Sequence, residues 1–259
     1  MAIELVRTAP LSVVILAAGK GKRMNNPEMA KVMYELDGKP MIEHVMTVAF
    51  NMQPKRTLLV LGWKKEIVIE FVAAKFPSVE FVEQREQLGT GHAVMQTQAA
   101  LQDFEGDVLI LSGDVPLLTE ETVKALIGVH QMSGADATIL TAELPDPTGY
   151  GRIIRNKDES VKKIVEQKDA TKKELSIKEV NSGIYVFNKQ KLFETLALIT
   201  QNNAQGEYYL TGVFEHFWNK EYHVAAVKAV DPNEVLGIND TDQLENAREI
   251  LTRRMGKSI

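Results

Sequence analysis

The sequence predicts an α/β fold, a largely parallel sheet with helices on both faces, followed by an α+β lobe. Continuous apolar runs such as Val13-Val14-Ile15-Leu16 show no alternation, the mark of strands buried on both faces. Segments with apolar residues at helical spacing stand between those runs. Glycine-bearing turns follow the first, third and fourth runs, where open α/β sheets bind their ligands.

Taken in order, the first strand ends at the small residues Ala17 and Ala18. Pro40–Asn51 places Ile42, Val45, Met46, Ala49 and Phe50 on one face and carries proline in its first turn, so it predicts a helix. Thr57–Leu61 reads as a second strand, with Glu66–Lys75 as its return helix. Val79–Val82 and Asp107–Leu111 are a third and a fourth strand, with a helix over Gly91–Leu101 between them. Glu120–His130 is a helix and Ala137–Leu144 a fifth strand. The turn-dense Pro145-Asp-Pro-Thr-Gly-Tyr-Gly151 then marks a change of character. Short strands are expected at Arg152–Arg155 and Ser160–Glu166, a charged stretch to Lys178, and another strand over Val180–Asn188. Helices over Lys189–Thr200 and Glu207–Asn219, a strand over Tyr222–Val227 and a last helix over Thr241–Met255, capped by Thr241, complete the chain. No segment has linker composition, so residues 1–259 are expected to form one domain. Its parts are a half over about 11–144, a lobe over about 145–240 and a closing helix over about 241–255.

At 259 residues, with 44% hydrophobic and 25% charged content, the chain has the balance of a globular protein with a full core. A net charge of −5 argues against a nucleic-acid partner held by a global basic field. The lack of cysteine excludes disulfides, thiolate zinc sites and cysteine nucleophiles. No apolar stretch reaches the length of a membrane helix, and Met1–Pro10 lacks a signal-peptide pattern, so a cytoplasmic protein without a membrane partner is expected.

The chemistry starts in Leu16-Ala-Ala-Gly19-Lys-Gly21-Lys-Arg23. Leu16 closes the strand, and Ala17, Ala18, Gly19 and Gly21 leave backbone N–H groups open to close approach, while Lys20, Lys22 and Arg23 add positive charge. Such a loop suits a polyphosphate; taken alone it equally fits a glycine turn with solvated cations. It lacks the Ser/Thr of a P-loop and the third glycine of a dinucleotide fingerprint. After the fourth strand, Ser112-Gly113-Asp114-Val-Pro116 puts a carboxylate near the same loop. A carboxylate facing phosphates calls for a cation between them, and Mg²⁺ takes one or two carboxylates plus phosphate oxygens. Gln84, with donor and acceptor, can read a base edge, and Gly89-Thr90-Gly91 opens a helix with free N–H groups. His92 reads as a first-turn helix residue. Tyr150-Gly151-Arg152, Glu166 and Asn181 suit a sugar, and Asn239 or Asp240 is available as a second metal ligand or as a cap for the last helix.

Together these segments resemble the sugar-1-phosphate nucleotidyltransferases, the nucleotide-sugar pyrophosphorylases. The likeness is nearest to the uridyltransferase half of the bacterial bifunctional N-acetylglucosamine-1-phosphate uridyltransferase/glucosamine-1-phosphate acetyltransferases. Leu16–Met24, Lys31-Val32, Gln84–His92, Gly113–Pro116, Asp146–Arg152, Glu166 with Lys168-Asp169-Ala170, Asn181–Gly183, Gly206–Thr211 and Gly237–Asn239 carry it, in family order. The resemblance implies a Rossmann-like mixed sheet of the nucleotide-diphospho-sugar transferase type with an α+β sugar-binding lobe. It implies UTP and N-acetylglucosamine-1-phosphate as substrates, and Mg²⁺ as cofactor. Leu16, Ala17, Ala18 and Gly19 would hold the nucleotide; Arg23 and Lys31 would address its phosphates and the sugar phosphate. Gln84, Gly89 and Thr90 would recognise uracil, with Ser112 and Gly113 beside the ribose and base. Asp114 and Asn239 would ligate Mg²⁺, Asn239 at the edge of a sugar site formed by Gly151, Glu166 and Asn181. Arg23, Lys31 and Asp114 would be the catalytic set.

Two positions depart from the family pattern: Ala30 stands where proline often precedes the lysine, and Ser112 where bifunctional relatives often carry tyrosine. The chain also stops after one helix, short of a hexapeptide-repeat region, so no acetyltransferase activity is expected. Gly113-Asp-Val-Pro116 is nearer the N-acetylhexosamine branch than the Gly-Asp-Asn pattern of glucose thymidylyltransferases. A pyrophosphorylase for another sugar-1-phosphate or base, such as UTP with glucose-1-phosphate, is the competing enzyme. A non-catalytic nucleotide-sugar-binding regulatory subunit is the competing non-enzyme, and it expects loss of Arg23, Lys31 or Asp114.

Overall fold

The computed structural model describes residues 9–21, 23, 24, 26, 28–254 and 256. In chain order its strands are β1 (Leu11–Ala17), the two-residue pair β2 (Glu35–Leu36) and β3 (Lys39–Pro40), β4 (Arg56–Leu61), β5 (Glu80–Glu83), β6 (Asp107–Ser112) and β7 (Ala137–Glu143). They continue with β8 (Gly151–Arg155), β9 (Val161–Val165), β10 (Glu179–Asn188) and β11 (Val224–Lys228). The helices are α1 (Met41–Asn51), α2 (Lys65–Lys75), α3 (Thr90–Met95), α4 (Glu120–Ser133), α5 (Lys172–Leu175), α6 (Lys189–Leu196), α7 (Val213–Asn219) and α8 (Thr241–Arg254).

The main sheet has the order β11-β7-β10-β6-β1-β4-β5, with β8 and β9 attached beside β10. Every neighbouring pair along that path is parallel except at β10, which runs antiparallel to both β6 and β7. The expected largely parallel mixed sheet is therefore present. Its alternate residues split between two cores, as strands buried on both faces require. Val13, Ile15, Leu59, Leu61, Leu109 and Leu111 face one core, which α1, α2 and α4 close with Ile42, Val45, Met46, Val68, Val72, Val123 and Leu126. Val14, Leu58, Val60, Val108 and Ile110 face the other, closed by Val94, Leu192, Leu196, Val213, Phe214 and Phe217 from α3, α6 and α7. A third cluster joins Met24, Leu36 and Met41 to Leu244, Ala247 and Ile250 of α8. Among the described residues no helix is long and apolar enough to cross a membrane.

Because β10 is antiparallel, its first residues lie at the edge where its parallel neighbours end. Asn181 pairs with Thr141, but Tyr185 already pairs with Ile139, so the strand bulges between them. Ser182 Oγ fills the gap, donating to Leu140 O at 2.7 Å and accepting from Ile184 N at 3.1 Å. Gly183 takes φ +79° in the bulge, a region that favours glycine. β10 and β11, from the second half of the sequence, thus belong to the main sheet, and β8 and β9 alone extend beyond its path.

Four local expectations change. The helix expected over Gly91–Leu101 ends at Met95, where Thr97 Oγ1 turns back to Val94 O at 2.7 Å and three-residue turns follow. The helix expected from Glu207 starts at Val213. Tyr208 and Tyr209 instead run extended along 88–91, before a 3-10 turn over Leu210–Gly212: Tyr208 N donates to Leu88 O and Gly91 N to Tyr208 O, each at 2.8 Å. The charged stretch before Lys178 contains α5, held by a reciprocal Thr171–Glu174 capping box. Asp240, not Thr241, caps α8, its Oδ1 accepting from Gln243 N at 2.9 Å. The expected end of α8 at Met255 and the loop cation Lys22 lie outside the described residues.

Candidate active site

The exits of β1 and β6 are tied together. Gly113 N donates to Leu16 O at 2.9 Å, and a Cβ at Gly113 would sit 3.2 Å from both Leu16 O and Ala17 Cβ. Glycine is what lets the two strand ends meet this closely. Next to it Asp114 O accepts from Ile238 N at 2.9 Å, which brings the turn before α8 to the same place.

These ends open onto a cavity of about 280 Å³ lined by Leu16, Ala17, Ala18, Gly19, Lys31, Gln84, Gly89, Thr90, Ser112 and Asp114, and by Val32, Gln87, Ala93 and Glu207. Every residue expected at the nucleotide lines it except Arg23 and Gly113, the latter buried beneath as the joint just described. Gln87, Val32 and Ala93 were not anticipated at the site. Gln87 had a usable signal, an amide three residues after Gln84 in the same loop; its Nε2 donates to Gln84 O at 3.0 Å. Glu207 lies in Gly206–Thr211, one of the segments that carry the resemblance, and the pairing of Tyr208 with 88–91 brings it to the cavity. Gly89 has φ +108°, and a Cβ there would lie 2.6 Å from Tyr208 O; one at Gly91 would lie 2.6 Å from Ile199 Cδ1. Both glycines let the 88–91 turn press against the 207–210 segment. Thr90 spends its hydroxyl on that packing, accepting from Leu210 N at 3.1 Å.

At one side of the cavity the Lys31 ammonium is seated between Asp114 and Asn239, paired with the Asp114 carboxylate and 3.0 Å from Asn239 Oδ1. The 3-10 turn Lys31–Met33 presents the lysine, and its neighbours Ala30 and Val32 are buried. Asn239 is held by its own Nδ2, which donates to Gly237 O at 3.3 Å, and by its N–H, which donates to Gln243 Oε1 at 2.7 Å. Tyr150 closes this corner: its hydroxyl accepts from Gly237 N at 3.1 Å. Burial pushes its pKa up, and the nearby Asp114 charge adds to that.

The expected sugar residues also meet. A Cβ at Gly151 would lie 3.5 Å from Glu166 Oε2 and 3.6 Å from Asn181 Cβ. The pairing of Gly151 with Asn181 and of Arg152 with Val165 explains why. Burial raises the pKa of Glu166, against the bond that its Oε1 accepts from Thr211 Oγ1 at 2.7 Å; Asp169 and Glu207 push the same way as burial. Asn181 Nδ2 donates to Tyr185 Oη at 2.6 Å. This cluster adjoins the cavity through Gly183, whose Cβ would stand 3.6 Å from Ser112 Oγ. Arg23 is exposed and does not line the cavity; its side chain has no hydrogen bond or ion pair with a described residue.

The architecture has solved counterparts and the sequence has relatives. The family model described as nucleotidyl transferase matches residues 12–232. The chain belongs to this family. This nucleotidyl transferase is 48% identical over 245 residues to the bifunctional protein GlmU of Streptococcus uberis, covering 95% of this chain and 53% of that protein. It is 47% identical over 242 residues to GlmU of Streptococcus mutans, covering 93% and 52%. The chain spans about half the length of the curated relatives it matches. A crystal structure of UDP-glucose pyrophosphorylase complexed with UDP-glucose superposes with a TM-score of 0.74 over 95% of this nucleotidyl transferase and 99% of that chain. At 16% identity that likeness establishes the fold, and it agrees with the nucleotidyltransferase α/β architecture expected from the motifs.

Proposed function

We propose that the chain is a uridylyltransferase that makes UDP-N-acetylglucosamine and pyrophosphate from UTP and N-acetylglucosamine-1-phosphate. The observation that carries it is the seating of the Lys31 ammonium between Asp114 and Asn239 at the wall of the glycine-lined cavity. A carboxylate and an amide oxygen that already hold one cation, beside a loop open to phosphates, are the parts a polyphosphate site needs. The similarity to GlmU proteins supports the choice of nucleotide and sugar.

Among the described residues no cluster of three or more His, Cys, Asp or Glu side chains is placed to hold a metal. Asp114 and Asn239 nonetheless fit Mg²⁺, which takes one or two carboxylates and fills its remaining positions with phosphate oxygens and water. When bound there, Mg²⁺ would neutralise phosphate charge as it develops.

In this reading residues 11–144 supply the nucleotide side, with the base between Gln84 and Gly89 and the phosphates over Ala17–Gly19. Residues 145–240 supply Gly151, Glu166 and Asn181 for the sugar, and α8 braces the turn that carries Asn239. The phosphate oxygen of the sugar phosphate attacks the α-phosphorus of UTP in line, and pyrophosphate leaves. That nucleophile is already anionic, so the site needs no general base and no covalent intermediate. The work of the protein is to align two anions that repel each other, which Lys31 and Arg23 do by charge.

Pyrophosphate release, measured with Mg²⁺ across UTP, dTTP and CTP and across several sugar-1-phosphates, tests this. The highest kcat/KM is expected for UTP with N-acetylglucosamine-1-phosphate. A higher value for glucose-1-phosphate would replace the sugar. Tight UDP-sugar binding without any turnover would replace the enzyme by a binding subunit.

A further inference from the structure

Trp63 is 42% exposed and belongs to none of the three apolar clusters, so it does little for the core. What it meets is charge. The Lys20 ammonium lies over the indole, 6.0 Å from the ring centroid, and the Lys64 ammonium 5.8 Å from it. At such distances a cation is attracted to the face of an aromatic ring. Glu28 answers one of the two charges, its Oε2 lying 2.7 Å from Lys64 Nζ. Among the described residues Lys20 has no ion pair, so its charge is left for a ligand.

Gly62 sets the place of this ring. A Cβ there would lie 2.9 Å from Ala18 O, 3.1 Å from Gln84 O and 2.7 Å from Gln87 Nε2. Glycine thus lets the end of β4 press against three residues that line the cavity, and Trp63 comes next in the chain. Lys20 in turn directly follows Gly19, another residue of the cavity wall. Lys64 carries the chain on into α2 with φ +53°, a left-handed conformation that lysine rarely adopts. We infer that Trp63 is a positioning residue whose indole holds the Lys20 ammonium at the rim of the cavity, ready for the terminal phosphates of a nucleoside triphosphate. A lysine that swings freely gives up much rotamer freedom when it meets a phosphate; one already held against a ring gives up less. The Lys64–Glu28 pair adds a second tie between this turn and the loop after β1, but its carboxylate is exposed and such pairs contribute little. The ring is therefore the stronger hold. The inference rests on the cavity being the nucleotide site proposed above.

Calorimetric titration with UTP and with UMP, both in Mg²⁺, tests it, because only the first ligand carries terminal phosphates. Trp63→Leu keeps an apolar side chain without a π face. It should bind UTP about threefold to fivefold more weakly than wild type and UMP equally well. Trp63→Phe restores a π face and should recover most of the loss. In a Lys20→Met background, Trp63→Leu should cost nothing more, since the cation it positions is gone. Unchanged UTP affinity in Trp63→Leu overturns the inference. So does an equal loss for UTP and UMP, which is what stacking on the base or a general structural role would give. An equal defect in Trp63→Phe, or a full further loss in the double variant, overturns it as well. A wild-type protein that binds neither UTP nor UMP overturns the parent reading instead, and is recognised before any variant is made.

Discussion

Lys31 and Asp114 face each other across the mouth of the cavity, and the ammonium of the first occupies the space between the second and Asn239. In the proposed reading Asp114 and Asn239 ligate a divalent cation, and that cation and Lys31 would then compete for one acidic position. Lys31→Met should bind Mn²⁺ at least about tenfold more tightly in the absence of nucleotide, because a like charge at contact distance is removed. Electron paramagnetic resonance of free Mn²⁺ measures this; equal affinity in variant and wild type defeats the competition. Asp114→Asn, with the backbone bond from Ile238 retained, should stay folded and lose turnover by about a hundredfold or more.

Arg23 is the opposite case, a cation held by none of the described residues. Its removal should cost the fold little: Arg23→Ala should unfold within about 0.5 kcal/mol of wild type. If the guanidinium closes on phosphates during transfer, turnover should fall by about 10²–10³-fold. Pyrophosphate release beside a denaturant titration separates the two effects, and near-normal turnover removes Arg23 from the catalytic set.

Two glycines of the cavity should respond differently to the same added methyl. Gly89→Ala combines a positive φ with a Cβ 2.6 Å from Tyr208 O, and should lose about 2–3 kcal/mol of stability along with nucleotide affinity. At Gly19 a Cβ meets nothing within 4 Å, so Gly19→Ala should keep its stability and lose only nucleotide affinity. Chemical denaturation and equilibrium binding of UTP read both, and equal stability losses would contradict the contact at Tyr208.

Burial raises the Glu166 pKa above its ordinary value of 4.5, which makes this carboxyl a cost to the fold once it must ionise. With the folded value above the unfolded one, its contribution to stability is fully present below about pH 4.5 and is lost as pH rises through the folded value. Glu166→Gln should therefore unfold at a higher temperature than wild type at pH 8 and at a similar one at pH 4. The same variant should raise KM for the sugar phosphate. Melting curves at the two pH values check the sign, and a variant less stable at pH 8 would reverse it.

The parallel strands were legible because a strand buried on both faces has to be apolar throughout, and Val13–Leu16, Leu58–Leu61 and Val108–Leu111 are. The direction of β10 was not, since nothing in Val180–Asn188 records whether the chain enters the sheet from one end or the other. The extended stretch at 208–209 was hidden for a similar reason: its partners, Leu88 and Gly91, lie far away in sequence. The capping box of α5 was written in Thr171 and Glu174, but too briefly to stand out among charges. In the site, glycines and the residues of strand ends led to the cavity. The sequence could suggest Lys31 for phosphate and Asp114 with Asn239 for a metal, but not that the Lys31 ammonium itself is seated between Asp114 and Asn239.

The antiparallel strand has a consequence for how the molecule comes into being. β6 and β7 follow one another along the chain, yet the place between them is filled only by residues 179–188. A nascent chain of 144 residues therefore leaves one edge of β6 and both edges of β7 unpaired, and its sheet closes only when β10 threads between them and β11 joins β7. Contacts of such long sequence separation slow folding and leave those edges open to misassociation meanwhile. Cutting the backbone between 144 and 179 would give two fragments that each lack what the other holds, and that regain one sheet only by complementing one another.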